Sequence, residues 1–433
     1  MKEPGAKYVV RSRYKQTEVG VIPDDWNAVR LGDKTTKVGS GITPTGGARV
    51  YKQEGRPFLR SQNVGWGSLL LEDVALINDV THATFQDTEI EVDDVFLNIT
   101  GASIGRSAVA DGRVARGNVN QHVCIIRTDQ RNLHPRFLNY FLLSTVGQRQ
   151  IDSFQAGGNR QGLNFGQVRS FHLPLPPVIE QQAIAEALSD SDALIESLER
   201  LIAKKHQLKQ GAMQELLTGK KRLPGFSGQW TVKRLGTTAT LKARIGWQGL
   251  TTAEYLDSGD YYLVTGTEFN EGYVDWNNCH YVDESRYKQD KHIQLRERDV
   301  LVTKDGTIGK VALVTDLPRP ATLNSGVFVI RPIEDSFHPE FFYHLLCSSV
   351  FTEFLTQLSA GSTINHLYQK DFVSFIYRTP PTVEEQIAIA TILSDMDSEI
   401  AVLEGRLTKA CEIKQGMMQE LLTGRIRLMP SDT

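Results

Sequence analysis

The chain has 433 residues, 40% hydrophobic and 23% charged, with a formal net charge of −3 and a pI of about 6.4. These are the proportions of a globular protein of two to three domains, and the charge balance counts against a strongly basic nucleic-acid-coating protein. No apolar run approaches the ~20 residues of a membrane span. The opening MKEPGAKYVVRSRYKQ lacks the apolar core of a signal peptide, and Cys124, Cys279, Cys347 and Cys411 are scattered without CxxC spacing. A disulfide framework and a zinc site are therefore not expected, and a reducing cytoplasm is.

Taken in order, the chain enters through TEVGVIPDDW (17–26), a stretch whose part is later played by LPGFSGQW (223–230). Residues 95–99 and 107–110 are short apolar runs on either side of a Gly-containing turn, which predicts a hairpin. A further strand is predicted over 122–127. Residues 135–144 predict a short helix that turns Phe137, Tyr140 and Phe141 inward. A loop rich in Gly, Asn and Thr then leads to Pro176-Pro177 and a long helix. Its apolar positions, Ile184, Leu188, Ile195, Leu198, Ile202, Ala212 and Leu216, follow a 3.5-residue period, with Ser191, Lys205 and Lys209 in the gaps. Gly219 supplies the stop. A segment of about 40 residues spans ~60 Å as a helix.

All of this then recurs. EQQAIAEALSDSD (180–192) returns as EQIAIATILSDMD (385–397), and KQGAMQELLTG (209–219) as KQGMMQELLTG (414–424), at an offset of 205. The second stripe runs through Ile389, Leu393, Met396, Ile400, Leu403, Leu407, Ala410, Met417 and Leu421, after Pro380-Pro381 and before Gly424. Upstream the offset is 204: Trp26 falls on Trp230, Gly105 on Gly309, Asn120 on Asn324, Arg127 on Arg331 and His134-Pro135 on His338-Pro339. The same count lays Asp94 on Arg298 and Val95 on Asp299. Strands are thus predicted again over 300–303, 311–314 and 327–331, and a short helix over 339–348. Either long helix alone would expose its stripe to water, so the two are expected to pack on each other. Lys209 and Lys414, on the seam, would either snorkel or fix alignment.

The expected fold is α+β. Two mixed, strand-rich domains (1–175 and 220–379) alternate with two helical regions (176–219 and 380–433), the helices forming an antiparallel coiled coil with approximate two-fold symmetry.

Catalytic signatures are missing. Gly306–Lys310 lacks the spacing and hydroxyl of a phosphate-binding loop, and its partner Gly101–Arg106 lacks the lysine. Pro176-Pro177 and Pro380-Pro381 have neither the acid or amide before them nor the aromatic after them that amino-methyltransferase motifs carry. There is no nucleophile elbow and no HExxH helix. His134 and His338 precede prolines at helix starts and read as caps or packing residues. No cofactor and no metal is expected. Two similar domains held apart by helices of fixed length suit a target that is itself two-part, such as two short segments of a DNA duplex.

The residues resemble a family. Ile22-Pro23-x-x-Trp26, Asp299-Val300-Leu301 through Gly306, Ile308, Gly309 and Lys310, Asn324 to Arg331, Pro176-Pro177-x-x-Glu180-Gln181 with Ile184, Ala185 and Leu188, and the doubled QELLTG are together similar to the specificity subunits of Type I restriction–modification systems. The resemblance covers nearly the whole chain. Arg106 in place of Lys310, and Phe96-Leu97-Asn98 in place of Val300-Leu301-Val302, are small departures. The resemblance implies two target-recognition domains, each reading half of a bipartite double-stranded site, with no catalysis in the chain itself. It implies docking of two adenine-N6 methyltransferase subunits and recruitment of a DNA-translocating nuclease subunit. The modest charge is compatible with this, since partners can supply phosphate contacts while a few side chains read base edges.

Positions that differ between the copies, in polar loops, are the candidates for base reading. In the first domain these are Thr43, Arg60, Gln62, Asn63, Asn98, Thr100, Asn159, Arg160 and Gln161. In the second they are Trp247, Gln248, Thr265, Thr267, Lys304, Asp305, Thr363, Asn365 and His366. Arg favours guanine, and Asn or Gln favours adenine. The outer helix faces, with Glu180, Gln181, Glu186, Glu196, Glu199 and the second-copy Glu385 and Gln386, are expected to hold the methyltransferases. Two alternatives stay open: a duplicated ligand-binding scaffold, for instance for carbohydrate, and a specificity subunit of a modification system other than Type I.

Overall fold

The structure is a computed structural model, and it describes residues 13–155, 162–246, 249–359 and 366–428. The chain divides into two compact units. One comprises residues 1–199 and 406–433, the other residues 200–405.

In the first unit a four-stranded sheet runs in the order Thr35–Ser40, Val123–Thr128, Val95–Asn98, Ser107–Val109, all neighbours antiparallel. A three-stranded sheet sets Ala75–Ile77, Arg56–Leu59 and Asn118–Val119 side by side. The run from Val95 to Asn98 shows no polar alternation because both of its faces are covered. Val95 and Leu97 enter a core with Phe137, Phe141, Ile184 and Leu188, while Phe96 points the other way among Ala108, Val123 and Ile125. Each such side chain contributes roughly 1.5–3 kcal/mol by leaving water. The predicted helix spans Pro135–Leu143, and Phe137, Tyr140 and Phe141 are buried.

The second unit repeats this plan around Val300–Thr303, Val311–Leu313 and Val327–Pro332, with the helix Pro339–Leu346 beneath. Its main sheet is longer, with six strands: Ala239–Lys242, Val327–Pro332, Val300–Thr303, Val311–Leu313, Tyr273–Val274 and Phe269–Asn270.

One alignment is corrected by the fold. Arg127 grips Asp94 through Nε at 2.7 Å and Nη2 at 2.9 Å, and Arg331 grips Asp299 through Nε and Nη2 at 2.6 Å each. The counterpart of Asp94 is therefore Asp299 rather than Arg298. The offset in this strand is 205 because the turn Gly101–Gly105 is one residue longer than Gly306–Gly309. All four of these glycines have positive φ, between +68° and +88°, which explains their recurrence. His134 and His338 start their helices without a side-chain cap bond, so they pack rather than cap.

The long helices span Val178–Leu216 and Val383–Leu421, 39 residues each. Within the first unit the start of one lies against the end of the other: Lys414 Nζ is 2.5 Å from Asp192, and Ser191 Oγ is 3.4 Å from Met417 Sδ. Within the second unit Lys209 pairs with Asp397, and Lys205 Nζ lies 2.6 Å from Glu399. Both seam lysines are thus ion-paired. Behind each pair stands a residue of the short helix. Tyr140 donates to Asp192 at 2.7 Å, and at the equivalent place His344 Nε2 is 3.0 Å from Ser394 Oγ.

Candidate nucleic-acid interface

In the first unit Arg56–Leu59 and Asn118–Val119 run parallel, so their carboxyl ends emerge together. The turn that follows Leu59 is built by Asn63. Its Oδ1 accepts from Arg60 N at 3.0 Å, and its Nδ2 donates to Leu70 O and Asp73 O at 2.9 and 3.0 Å. This holds Arg60 and Gln62 on the outside of the turn. Both lean on Asp73 Oδ2, at 3.3 and 2.7 Å. Asn98 ties the central strand to the same turn by donating to Ser61 O at 2.8 Å. Beside it the Thr43 hydroxyl bonds to Gln121, Gln121 Nε2 lies 3.1 Å from His122 Nε2, and His122 Nδ1 lies 2.6 Å from Thr100 Oγ1. Four strand ends therefore share one row of polar side chains.

The second unit rebuilds the turn with other residues. Glu268, buried, stands where Asn63 stands: it accepts from Thr265 N at 3.0 Å, Gly266 N at 2.9 Å and the hydroxyls of Thr265 and Thr267 at 2.7 and 2.9 Å. Thr265 and Thr267 thereby occupy the places of Arg60 and Gln62. Lys304 holds its ammonium 5.5 Å from the Phe328 ring centre, a cation–π geometry, and Asp305 bonds to His366.

Three groups of expectations fare differently. Thr43, Arg60, Gln62, Thr100, Thr265, Thr267, Lys304, Asp305 and His366 lie at strand ends or in the loops beside them, none of them fully buried. Asn63 and Asn98 are 1% and 0% exposed, and their amides donate to backbone carbonyls, so in this fold they hold the turn from within rather than standing on the polar edge. Asn159, Arg160, Gln161, Trp247, Gln248, Thr363 and Asn365 lie outside the described residues.

The helix positions need a larger correction. Glu180, Gln181, Glu385 and Gln386 are not on an outer face; all four are at most 2% exposed. Glu180 accepts from Arg427 Nε at 2.6 Å and Nη2 at 2.7 Å, and from Trp26 Nε1 at 3.1 Å. Arg427 also reaches Asp25 with two bonds of 2.9 Å and sits over the Trp26 ring. Glu385 receives Arg222 at 2.6 and 2.7 Å. Gln181 and Gln386 accept the backbone N–H of His134 and His338 at 2.8 Å. Each Gln starts the short helix of its own unit, because that N–H has no intrahelical acceptor. Glu186, Glu196 and Glu199 do face solvent.

Sequence reasoning missed Gln121, His122, Arg222, Arg427 and Arg244. Arg222 and Arg427 carry a signal, since they recur at the offset of 205 just after each QELLTG. Arg244 carries none. It is 1% exposed beneath the loop end and donates only to neutral acceptors, including Leu323 O at 2.8 Å and Gln289 Oε1 at 3.0 Å. Among the described residues there is no group of three or more His, Cys, Asp or Glu able to hold a metal ion, and no helix long and apolar enough to cross a membrane.

The model of the Type I restriction modification DNA specificity domain matches twice, over residues 23–208 and 228–411. Over 436 residues the chain is 24% identical to a Methanocaldococcus jannaschii protein assigned to the MjaX type I restriction enzyme as its specificity subunit, covering 98% of each. It is 21% identical to the specificity subunit of the Escherichia coli EcoKI type I restriction enzyme, covering 94% of this chain and 90% of that one. Its fold is similar to the S subunit of a type I restriction–modification system from M. genitalium, with a TM-score of 0.60 at 16% identity over 94% and 97% of the chains. A second solved chain, from work on complex assembly and conformational transition of the type I system, gives 0.53 at 17% identity over 93% and 99%.

Proposed function

This chain belongs to the Type I restriction modification DNA specificity family, with two such domains, and we propose on that footing that each domain reads one half of a bipartite duplex site. The observation that carries this reading is the shared turn. One scaffold, closed by Asn63 in one unit and Glu268 in the other, presents Arg60 and Gln62 in the first and Thr265 and Thr267 in the second. A common frame with different hydrogen-bonding side chains is what reading two different half-sites needs. Thr43, Thr100, Gln121 and His122 extend the first reading edge, and Lys304, Asp305 and His366 the second.

The domains proposed are residues 1–175 and 220–379, with helical regions 176–219 and 380–433. The two long helices are proposed to run as an antiparallel coiled coil about an approximate two-fold, each ~60 Å long, so that they fix the unread gap. The chain is proposed to be non-catalytic and cytoplasmic. Two adenine-N6 methyltransferase subunits would supply the chemistry and many of the phosphate contacts, and a translocating nuclease subunit would join them. The exposed Glu186, Glu196 and Glu199 remain the helix positions suited to holding them.

The test is a turn transplant. With Arg60→Thr and Gln62→Thr together, selection of bound duplexes from a random pool by the reconstituted complex should alter the first half-site and leave the second intact. A change in both halves, or in neither, would overturn the assignment.

A further inference from the structure

The two units differ at the corner where the central strand of the main sheet meets the entry to a short helix. Leu163 N donates to Ile99 O in the first unit and Leu367 N to Lys304 O in the second, each at 2.8 Å, so the two corners are built alike and can be compared position by position. Asn164 and Tyr368 then stand at the same place, one residue before the helices Phe165–Ser170 and Gln369–Phe372. Asn164 caps its helix: its Oδ1 accepts from Gln167 N and its own N–H donates to Gln167 Oε1, both at 2.9 Å. Tyr368 makes no side-chain cap bond, and 55% of it is exposed. The second unit therefore gives up a cap and sets an aromatic ring in solvent, a local loss that its own fold does not recover.

The neighbouring positions change in the same sense. Lys304, His366 and Lys370 stand where the first unit has Ile99, Gly162 and Gly166. Lys370 Nζ lies 5.5 Å from the centre of the Tyr368 ring, and the His366 ring centre lies 4.5 Å from it. Asp305 is taken up by His366, and among the described residues neither Lys304 nor Lys370 is in an ion pair. Backbone bonds tie this corner to the turn of Thr265 and Thr267. Asn324 N donates to Val264 O at 2.9 Å, and Lys304 N donates to Gly326 O at 2.8 Å. The corner and the turn thus share one rim of the second unit.

We propose that Tyr368 and Lys370 hold the sugar–phosphate backbone beside the second half-site and read no base themselves, with Lys304 adding to the field that draws the phosphate in. An ammonium group is a point charge suited to phosphate, and a tyrosine hydroxyl joins such contacts, whereas base edges call for the planar forks of Arg, Asn and Gln. Gln369, the amide between these two residues, is turned to Leu241 O at 3.4 Å. Lysines without a carboxylate partner gain most from a phosphate, because no existing pair has to be broken and counterions are released. The first unit, with Asn164 and Gly166 at these places, has no such grip at this corner. The inference rests on the reading above that the chain holds duplex DNA, and it adds a contact that carries affinity without sequence.

The test measures duplex binding by the full chain reconstituted with the methyltransferase subunit of the same system, between about 50 and 200 mM salt. Two duplexes are used, one carrying the motif selected from a random pool and one lacking it. Lys370→Ala should weaken both by the same factor, roughly fivefold, lower the slope of log affinity against log salt by about 0.9, and leave the selected motif unchanged. Tyr368→Asn restores the residue that caps the helix in the first unit, so it should weaken both duplexes while the chain unfolds at no lower temperature. If the unaltered complex binds and both variants bind both duplexes normally, the inference falls and the functional reading stands. If the unaltered complex binds neither duplex, both fall. A changed motif in either variant would make these residues base readers, and a lower unfolding temperature for Tyr368→Asn would make the ring structural; each result would overturn the proposal.

Discussion

Replacing Arg427 by Met removes the charge at the centre of the most densely bonded cluster in the first unit while keeping an apolar stem over Trp26. Arg427 is 5% exposed and Glu180 1%, and the two share bonds of 2.6 and 2.7 Å. The Glu180 and Asp25 carboxylates hold the Arg427 guanidinium in its charged form, pushing its pKa upward against the opposing effect of burial. In the variant Glu180 keeps one donor, Trp26 Nε1 at 3.1 Å, and stays out of water. Breaking one side of a buried pair costs about 3–5 kcal/mol, because a buried charge is left unmatched. The stacking of the guanidinium on Trp26 adds roughly 0.5–2 kcal/mol. Unfolding by urea, followed at Trp26 or through amide exchange of residues 172–190, should show a loss of about 3.5–7 kcal/mol in the first unit. Adding Glu180→Gln should recover part of it, since a neutral amide is cheaper to bury than a carboxylate. Added salt should change the loss little, because the pair is shielded from solvent ions. A loss below about 1 kcal/mol, or no recovery in the double variant, would refute the claim that this pair anchors the helix entry.

Three further outcomes follow from the geometry. Arg60→Ala should cost about 1–3 kcal/mol of duplex affinity and relax one base position, in the first half-site only, read by selection from a random pool. Burial, helped by the Lys209 charge, drives the His344 imidazole down to about 3, and Asp397 Oδ2 lies 4.0 Å away. Its folded pKa lies below the unfolded value near 6.5, so neutral His344 contributes its stability in full above about pH 6.5. That contribution declines toward pH 3 by about 1.4 kcal/mol per pH unit. His344→Phe should flatten this slope in acid unfolding curves. Finally, Lys414→Glu should weaken the first unit by like-charge contact with Asp192, and Asp192→Lys in the same chain should restore it, as measured by thermal unfolding.

Much of the architecture is legible in the sequence. The duplication was visible because both long helices keep their stripe residue by residue, and the hairpins because Gly101, Gly105, Gly306 and Gly309 punctuate apolar runs. The interior of the polar residues was not visible. Asn63 and Asn98 look like readers in a list of loop amides, and only the approach of Leu70, Asp73 and Ser61 makes them scaffold. Glu180 in a first helical turn looks like a solvated residue favoured by the helix dipole. Its burial depends on Arg427, 247 positions away. The slip that laid Asp94 on Arg298 came from counting residues through a turn that differs by one. The Arg–Asp grips fixed it, since each strand start must match a buried carboxylate to its arginine.

The central claim is that this chain selects a two-part DNA site for adenine methylation. The direct measurement is a genome-wide map of N6-methyladenine in cells with and without the gene. The account predicts one asymmetric motif of two short elements separated by an unread gap, fully methylated with the gene and unmethylated without it. An identical map in both cells, or a single uninterrupted motif, would contradict it.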